Sequence, residues 1–419
     1  MKTNRVEQHR IKKSHKFFHI IDDLCLKSKN MYNYGNYIIR QEFIKTSKEK
    51  EQGLRESANW IRYNTLFSMV KDSEPYKDLG SNVGQATLRK LDNNWSSFFE
   101  STKDYMNNPT KYLGRPKMPG YLQKENGRYQ CGLDNNKFKV IDGYVYFCWK
   151  PLKVMNNTFI TNIPKGTKLI QLRFVPKNGE YIMEVVYQID VPDIEDKSER
   201  IASIDLGVDN LMTITSNCGV KPLVINGKPL KSINQYYNKK ISEMRSELKK
   251  RHNADWSKEM QRFTIKRNNK VDDYIQKATK MVIDFCKENN IDTLVCGYNS
   301  GWKQESDMIK KVNQTFVSIP HESIINRLSY KCETVGILFK TSEESYTSGT
   351  SFLDGEEPIK ENYDKSRRVY RGLFVTKKGE EINADVNGSY QIMKKVFPNA
   401  FADGIVGVGL HPTVVNIPL

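Results

Sequence analysis

Predicted strands and helices alternate along the second half of the chain, and this alternation constrains the fold more than any other feature. The segments IASIDLGV and LMTITS indicate two consecutive strands joined by a tight turn. The later elements are two charge-rich helices within Lys228–Asn290, broken near Asn253, a strand at Asp292–Cys296, a helix at His321–Thr334, a strand at Gly336–Lys340 and a final helix from about Asn383. Strands that alternate with helices predict a layered α/β domain.

The first half of the chain begins with a helix-rich region. Apolar residues have helical spacing from about Ser14 to Phe43, and a second amphipathic helix is predicted over Asn82–Phe99. The apolar positions of this second helix recur at steps of three and four and therefore share one face: Leu88, Leu91, Trp95 and Phe98. We interpret this stripe as core rather than as a binding surface.

Short β-branched and aromatic runs follow between Tyr129 and Asp190. FKVIDGYVYFCW, KLIQLRFVP and YIMEVVYQI are separated by Gly, Pro and Asn, which predicts a small antiparallel β-barrel or sandwich. Met1–Lys13 is a further candidate strand or a basic arm. The polar segment Val191–Arg200 contains a proline and predicts a domain boundary. The expected fold class is therefore multidomain α+β.

The charge of the chain points to a polyanionic partner. Its 66 Lys and Arg exceed its 49 Asp and Glu, giving a net charge of +17, and such an excess favours nucleic acid through counterion release. A soluble basic protein without such a partner remains the alternative. No apolar run reaches the length of about 18 residues expected for a membrane span, and no secretory signal is recognisable. We therefore expect a soluble, cytoplasmic protein that does not contact membranes.

Three segments combine cationic and aromatic side chains and are candidate nucleic-acid contacts. The first is the proline- and glycine-rich loop Asn108–Tyr121, and the others are SGWKQ and the basic run that begins at Lys365. The candidate residues are Lys111, Tyr112, Arg115, Lys117, Trp302, Lys303, Arg367, Arg368 and Arg371. Tyrosines packed on the protein body, a buried tryptophan anchor and a solvated charged face are the respective structural alternatives.

Carboxylates follow several predicted elements in an order that suits metal-dependent hydrolysis. Asp205 ends the first strand of the α/β domain, Glu343 and Glu344 come directly after a later strand, and Asp385 lies in the first turn of the last helix. Two-metal phosphodiester hydrolysis needs carboxylates that converge from different elements to hold ions about 3.5–4 Å apart. Taken singly, Asp205 is equally explained as a turn former and Asp385 as a helix cap.

Together these motifs resemble the TnpB/OrfB family of insertion-sequence proteins, relatives of the type V CRISPR effectors. IASIDLGVDN, TSEESYTS and INADVNGSYQIMKK resemble its nuclease motifs, while LRKLDNNWSSFF and YLGRPKMPGY are similar to its recognition helices and the loop entering its wedge-like β-barrel. The resemblance implies an RNase H-like, RuvC-like nuclease over 196–419. It also implies a helical recognition region over 14–107 and a wedge-like barrel built from 1–13 and 108–195.

The chain departs from the family pattern at two places. Many members carry their second catalytic acid at the end of the strand where this chain has Gly297 and Tyr298. We propose that Glu344 replaces it, with Glu343 as the alternate, because adjacent strand residues face opposite sides. The usual zinc ribbon is the second departure, since no Cys lies within Tyr346–Glu381. We expect a metal-free β-hairpin insertion at 345–382 and no structural zinc.

The function that the resemblance implies is RNA-guided cleavage of DNA. A guide RNA would select a double-stranded target, the displaced single strand would contact basic and aromatic side chains, and the nuclease would cut. Asp205, Glu344 and Asp385 would hold two Mg²⁺ ions. A nuclease-silent RNA-guided repressor and a strand-transfer transposase are the alternative functions.

Overall fold

The computed structural model describes residues 1–298, 319–370, 372–402 and 409–418. Two compact units divide the chain: an N-terminal unit, Lys2–Asp190, and a C-terminal unit, Val191–Leu419, which Met1 joins. The division lies at the start of the polar segment 191–200. None of the helices in the described ranges is long and apolar enough to cross a bilayer.

Helices and one antiparallel sheet make up the N-terminal unit. Its helices are α1 (Phe18–Glu51), α2 (Tyr63–Val70), α3 (Glu74–Leu79) and α4 (Ser81–Asn107). Helix α4 buries Leu88, Leu91 and Trp95 completely, and the Trp95 indole N–H donates to Asn36 Oδ1 on α1 at 3.0 Å. The apolar stripe of α4 is therefore core, as its spacing predicts.

The strands of this unit form an open sheet and a separate hairpin. They are β1 (Lys2–Ile11), β2 (Cys131–Asp134), β3 (Phe138–Ile141), β4 (Tyr144–Phe147), β5 (Lys168–Lys177) and β6 (Glu180–Asp190). The four-stranded sheet has the order β1-β6-β5-β2, while β3 pairs with β4. Among the described residues the predicted closed β-barrel is wrong, because edge strands β1 and β2 do not pair with each other.

A mixed six-stranded sheet is the centre of the C-terminal unit. Its strands are β7 (Ile201–Leu206), β8 (Asn210–Ser216), β9 (Leu223–Asn226), β10 (Thr293–Gly297), β11 (Leu338–Ser342) and β14 (Thr413–Val415). The order is β11-β10-β7-β8-β9-β14. Strands β7, β10 and β11 are parallel, so their carboxyl ends lie at one edge, where ligand sites concentrate in such sheets.

Helices cover both faces of this sheet and give the predicted α/β layering. They are α5 (Lys228–His252), α6 (Lys258–Glu288), α7 (His321–Val335) and α8 (Ala384–Val396). Apolar residues of α6 and α7 share one core with Ala202 and Ile204, whereas Ile392 and Met393 of α8 pack with Ile201 and Val295. A short hairpin, β12 (Leu373–Val375) and β13 (Glu381–Asn383), precedes α8.

Candidate active site

The alternation of β7 places Asp205 beneath helix α8. Ala202 and Ile204 point into the core shared with α6 and α7. Because successive strand residues face opposite sides, Ser203 and Asp205 lie on the other face. The Ser203 hydroxyl donates to the Ser389 carbonyl of α8 at 2.7 Å. Strand and helix therefore meet along the face that carries Asp205.

A buried group of hydroxyls fixes the register of α8 on the sheet. Ser203, Thr215 and Ser389 are all fully buried. Ser389 Oγ lies 2.9 Å from Thr215 Oγ1 and donates to the Ser203 carbonyl at 3.0 Å. Since each buried hydroxyl would be destabilising without a partner, this group selects one position of α8. That position determines where the first turn of the helix meets the strand ends.

Gly388 and Asn383 bring the backbone of α8 to the edge of the sheet where β7 ends. A Cβ at Gly388 would lie 3.0 Å from Asp205 Oδ2, so only glycine lets the helix approach this carboxylate without displacement. Asn383 caps the helix, because its side-chain oxygen accepts from the backbone N–H groups of Asp385 and Val386 at 3.0 and 3.1 Å. The capping role considered for Asp385 is thus filled by Asn383.

Asp385 is held by two side chains from other elements. Asn210, the first residue of β8, donates to Asp385 Oδ2 at 2.7 Å. Arg368 donates to Asp385 Oδ1 at 3.0 Å. Both carboxylate oxygens therefore have a donor, and a cation lies against Asp385.

Glu344 fills the space left by the missing side chain at Gly297. The parallel strands β10 and β11 pair Gly297 with Ser342. The chain then turns, so that Glu344 lies over the end of β10. A Cβ at Gly297 would overlap Glu344 Oε1 and would also come within 2.6 Å of Ile392 Cδ1. The carboxylate thus lies beside the position where many family members carry their second acid.

Glu343 has a different environment. Its side chain is 54% exposed and pairs with Lys395 at 2.6 Å. It also accepts from the backbone N–H of Ser345 at 2.9 Å. Glu344 is instead only partly accessible. The two neighbouring glutamates therefore face different surroundings, and Glu344 is the one turned toward Asp205.

The pKa values of Asp205 and Glu344, which are partly buried, depend on neighbouring carboxylates. Burial raises the pKa of Asp205 well above its usual range, and the Asp385 carboxylate raises it further, against a smaller opposing effect of Arg368. Burial likewise raises the pKa of Glu344, with added contributions from Asp205 and then Glu343. Part of each shift is mutual repulsion between neighbouring carboxylates. A bound cation would relieve it.

The donor set suits a hard divalent cation, although the side chains do not enclose one as they stand. Asp205, Glu344 and Asp385 offer only carboxylate oxygens, the ligands that Mg²⁺ prefers. Within the described ranges, no group of three or more His, Cys, Asp or Glu is positioned to hold a metal ion. Asp385, the third acid, has its oxygens directed to Asn210 and Arg368.

The predicted nucleic-acid contacts in the C-terminal unit have separate outcomes. Arg368 contacts Asp385. We call the three carboxylates of Asp205, Glu344 and Asp385 the acid cluster. Arg367 is only 10% exposed and donates to both Glu356 oxygens at 3.0 and 2.7 Å, so its charge is already matched inside the fold. Its contact with nucleic acid stays a prediction. Trp302, Lys303 and Arg371 lie outside the described residues.

The candidate contacts in the loop Asn108–Tyr121 of the N-terminal unit also have different environments. Lys111 and Tyr112 both contact Asp104, with the Lys111 amine 2.6 Å from Oδ2 and the tyrosine hydroxyl 2.5 Å from it. Arg115 and Lys117 are exposed and form no ion pair with a described residue. Their role in binding nucleic acid stays a prediction.

Some residues of the site were missed by sequence reasoning. Asn210 lies in the motif IASIDLGVDN, and Asn383 lies in INADVNGSYQIMKK. Their proximity to the motif acids was the available signal. The contacts of Ser203 and Ser389 had no local signal, because these residues are 186 positions apart.

The fold and the site together define a class: α/β proteins that gather carboxylates at the carboxyl edge of a central sheet. Two family models match this chain. OrfB_IS605, described as a probable transposase, matches residues 184–303, and the Cas12f1-like TNB domain matches residues 321–392. The TnpB-like protein ORF457 of Acidianus two-tailed virus is 21% identical over 404 residues, covering 88% of this chain and 81% of that protein.

Solved structures with similarity to the chain include two RNA-guided systems. A Cas12f1–sgRNA–target DNA complex has 16% identity and a TM-score of 0.37, covering 93% of this chain and 98% of that one. The mini-RNA-guided endonuclease CRISPR-Cas_phi3 has 10% identity and a TM-score of 0.47, covering 99% and 94%. The two family models and the TnpB-like relative support the resemblance to the TnpB family that the sequence motifs indicate.

Proposed function

We propose that this protein is an RNA-guided DNA endonuclease, associated with a transposon, whose RuvC-like site contains Asp205, Glu344 and Asp385. The observation that carries the proposal is the position of Glu344, whose carboxylate occupies the space beside Gly297 and is electrostatically linked to Asp205. Similarity to TnpB proteins supports the same reaction class. The C-terminal unit supplies the nuclease, with residues 345–382 as an insertion in place of a zinc ribbon.

The three acids are the proposed ligands of Mg²⁺. When bound, the ions supply an activated water and stabilise the leaving oxygen of the phosphodiester. Asp205 would provide a ligand from the end of β7 and Glu344 one from just after β11, with β10 between these two strands. Asp385 would provide one from the first turn of α8, where the helix dipole favours a carboxylate. Asn210 positions Asp385 by donating to its Oδ2.

Arg368 has two successive roles in this proposal. Without an ion it balances the charge of Asp385 through the contact at 3.0 Å. Release of Asp385 leaves the guanidinium at the edge of the site, where its planar donors suit a phosphate oxygen. The predicted nucleic-acid contact of Arg368 thereby becomes a contact with the strand being cut.

The N-terminal unit is the proposed platform for guide RNA and double-stranded target DNA. The helical region 14–107 and the β-rich segments 1–13 and 108–195 would grip the guide and a short motif beside the target, while base pairing selects the sequence. The Cas12f1 relative was solved with sgRNA and target DNA. Arg115 and Lys117 are exposed and suited to phosphate contact.

Plasmid cleavage tests the proposal directly. The protein is co-expressed with RNA from its own locus and incubated with Mg²⁺ and a plasmid library whose target-flanking bases are randomised. We expect guide-dependent cutting that Asp205→Ala and Glu344→Ala abolish and that Glu343→Ala, the matched neighbour, retains. Loss of cutting with Glu343→Ala but not with Glu344→Ala would reverse the assignment of the second acid.

Moving the acid gives a sharper test of its position. Gly297→Glu combined with Glu344→Ala returns the carboxylate to the end of β10 and removes the side chain that a Cβ at Gly297 would overlap. We expect partial recovery of cutting relative to Glu344→Ala alone. Adding Ile392→Val makes room at the second close contact. Thermal unfolding of each variant separates a folding defect from a failure to restore the site.

The two alternative functions are distinct outcomes of these assays. Tight guide-dependent DNA binding without cutting by any version would identify a nuclease-silent repressor. Strand joining without guide RNA would identify a transposase. In either case the acid cluster would need another explanation.

A further inference from the structure

The helical hairpin formed by α5 and α6 carries a large share of the positive charge. Residues 228–270 contain thirteen Lys and Arg but four Asp and Glu, a net charge of +9 within a chain of +17. About half of the net charge therefore lies in one tenth of the sequence. The hairpin belongs to the C-terminal unit but contributes none of the acids of the proposed active site.

Its basic side chains are arranged as a stripe along the first half of α6. Lys258, Arg262, Lys266 and Lys270 recur at steps of four, so they lie along one side of the helix. All four are exposed. None forms an ion pair with a residue in the described part of the chain. We call these four residues the α6 stripe.

The second half of the same helix offers a direct contrast. Lys277 pairs with Asp273 at 2.7 Å, and Lys280 pairs with Asp284 at 2.5 Å. There each cation has an acid one helical turn away, as expected on an ordinary solvated surface. The α6 stripe lacks that local compensation, which leaves its charge for an external anion.

Helix α5 and the first half of α6 pack on each other but bury few residues in the core of the C-terminal unit. In α5 only Leu230 and Asn234 are buried, and between residues 258 and 270 only Met260 is buried. Tyr237 stacks on Phe263 with ring centroids 5.6 Å apart. Helices α5 and α6 therefore stabilise each other, and the stripe lies on the exposed side of α6.

We propose that the α6 stripe binds the phosphate backbone of a nucleic-acid duplex. The inference rests on the proposed function for its choice of partner, a guide RNA–target DNA duplex. Four residues along an α-helix rise about 6 Å, so the stripe extends roughly 18 Å. The stripe consists of Lys and Arg, whose charged groups contact backbone phosphates. Contact with the backbone also fits a partner whose sequence is recognised by base pairing.

The test compares two charge-neutralising variants of the full-length protein. Arg262→Gln with Lys266→Gln removes two stripe charges, and Lys277→Gln with Lys280→Gln removes two paired charges from the same helix. Binding of a labelled RNA–DNA hybrid of about 20 base pairs is measured by fluorescence anisotropy over a range of salt concentrations. A labelled single strand of equal length is the second probe.

The salt dependence of binding is the main readout. Each phosphate contact contributes about 0.9 to the slope of log K against log salt. We expect the stripe variant to lose about two units of slope on the hybrid and the control variant to lose much less. Circular dichroism and thermal unfolding establish that both variants fold as the wild type does.

Two results would overturn the inference: equal slopes for stripe and control variants, or a loss confined to the single strand. Failure of the proposed nuclease is distinguishable from both. A wild-type protein that does not cut but still shows the stripe-dependent slope retains the binding surface without the reaction. A protein that cuts with unchanged stripe-variant slopes retains the reaction and refutes the surface.

Discussion

Two groups of acids in the C-terminal unit differ in how their charge is balanced. Glu356 is 8% exposed and pairs with Arg367, itself 10% exposed, at 2.7 Å. Burial alone would raise the pKa of Glu356, but hydrogen bonds from Arg367 and Lys377 outweigh it and lower the pKa to about 2. At the acid cluster the pKa of Asp205 and the pKa of Glu344 are raised instead, by burial and by neighbouring carboxylates.

The difference separates a structural role from a functional one. Arg367 donates to carbonyls of Gly349 and Asn362 as well as to Glu356, so this cation links several turns of the insertion. Repulsion between partly buried carboxylates is destabilising, and functional sites are where such arrangements are commonly found.

The largest expected effect comes from removing one carboxylate charge at the acid cluster. Glu344→Gln keeps the size of the side chain but removes a ligand charge. We expect guided cleavage to fall more than about 100-fold, which exceeds the usual loss when a residue that only supports a metal ligand is changed. Stability should be unchanged or higher, because one repelling carboxylate is gone. Cleavage kinetics and urea unfolding provide the two readouts. Wild-type cleavage by Glu344→Gln would remove this residue from the site.

Arg367→Gln should have the opposite result. Loss of the guanidinium leaves Glu356 buried without its main partner, and such a change typically costs about 3–5 kcal/mol in the free energy of unfolding. Urea unfolding of the variant measures the loss. The double variant Arg367→Gln with Glu356→Gln serves as the control and should recover part of it. A change below about 1 kcal/mol in the single variant would contradict the structural role.

Local sequence patterns predicted most helices and strands of the α/β domain, because each of these carries its own periodicity. They missed the short strands β9 and β14. The final helix was expected from about Asn383 and spans Ala384–Val396. A strand expected at Gly336–Lys340 occupies Leu338–Ser342. The barrel prediction failed for a related reason: alternation identifies strands, but closure depends on which edges pair, and that is not encoded within any one strand.

The site was predictable where motif residues meet at strand ends and not where partners come from distant loops. The motifs indicated Asp205, Glu344 and Asp385, and the structure brings these acids to the same edge, while their catalytic roles stay proposals. Arg367 and Arg368 are adjacent and look alike in sequence, yet one is buried against Glu356 and the other contacts Asp385. Their difference depends on the folded path of the insertion.

The pH dependence of stability should also have opposite signs in the two groups. For Asp205 and Glu344 the folded pKa exceeds the unfolded value, so without metal their contribution declines as pH rises from about 4 toward the raised pKa. For Glu356 the folded pKa is lower, so its contribution is lost as pH falls from 4.5 toward about 2. Urea unfolding in EDTA across pH measures both. Glu344→Gln should flatten only the upper range, and an unchanged upper range would refute the assignment.

The smallest expected effect concerns Arg368, which contacts Asp385 in the acid cluster. Arg368 is 36% exposed, so its ion pair contributes at most about 1 kcal/mol. Because a divalent ion must displace this pair, Arg368→Gln should bind Mn²⁺ more tightly, by up to about fivefold. Electron paramagnetic resonance of free Mn²⁺ measures the affinity without any cleavage. Lys395→Gln removes a nearby cation that pairs with Glu343 instead, and it should change the affinity less. Equal affinities in wild type and Arg368→Gln would mean that Asp385 does not bind the ion or that Arg368 does not compete for it.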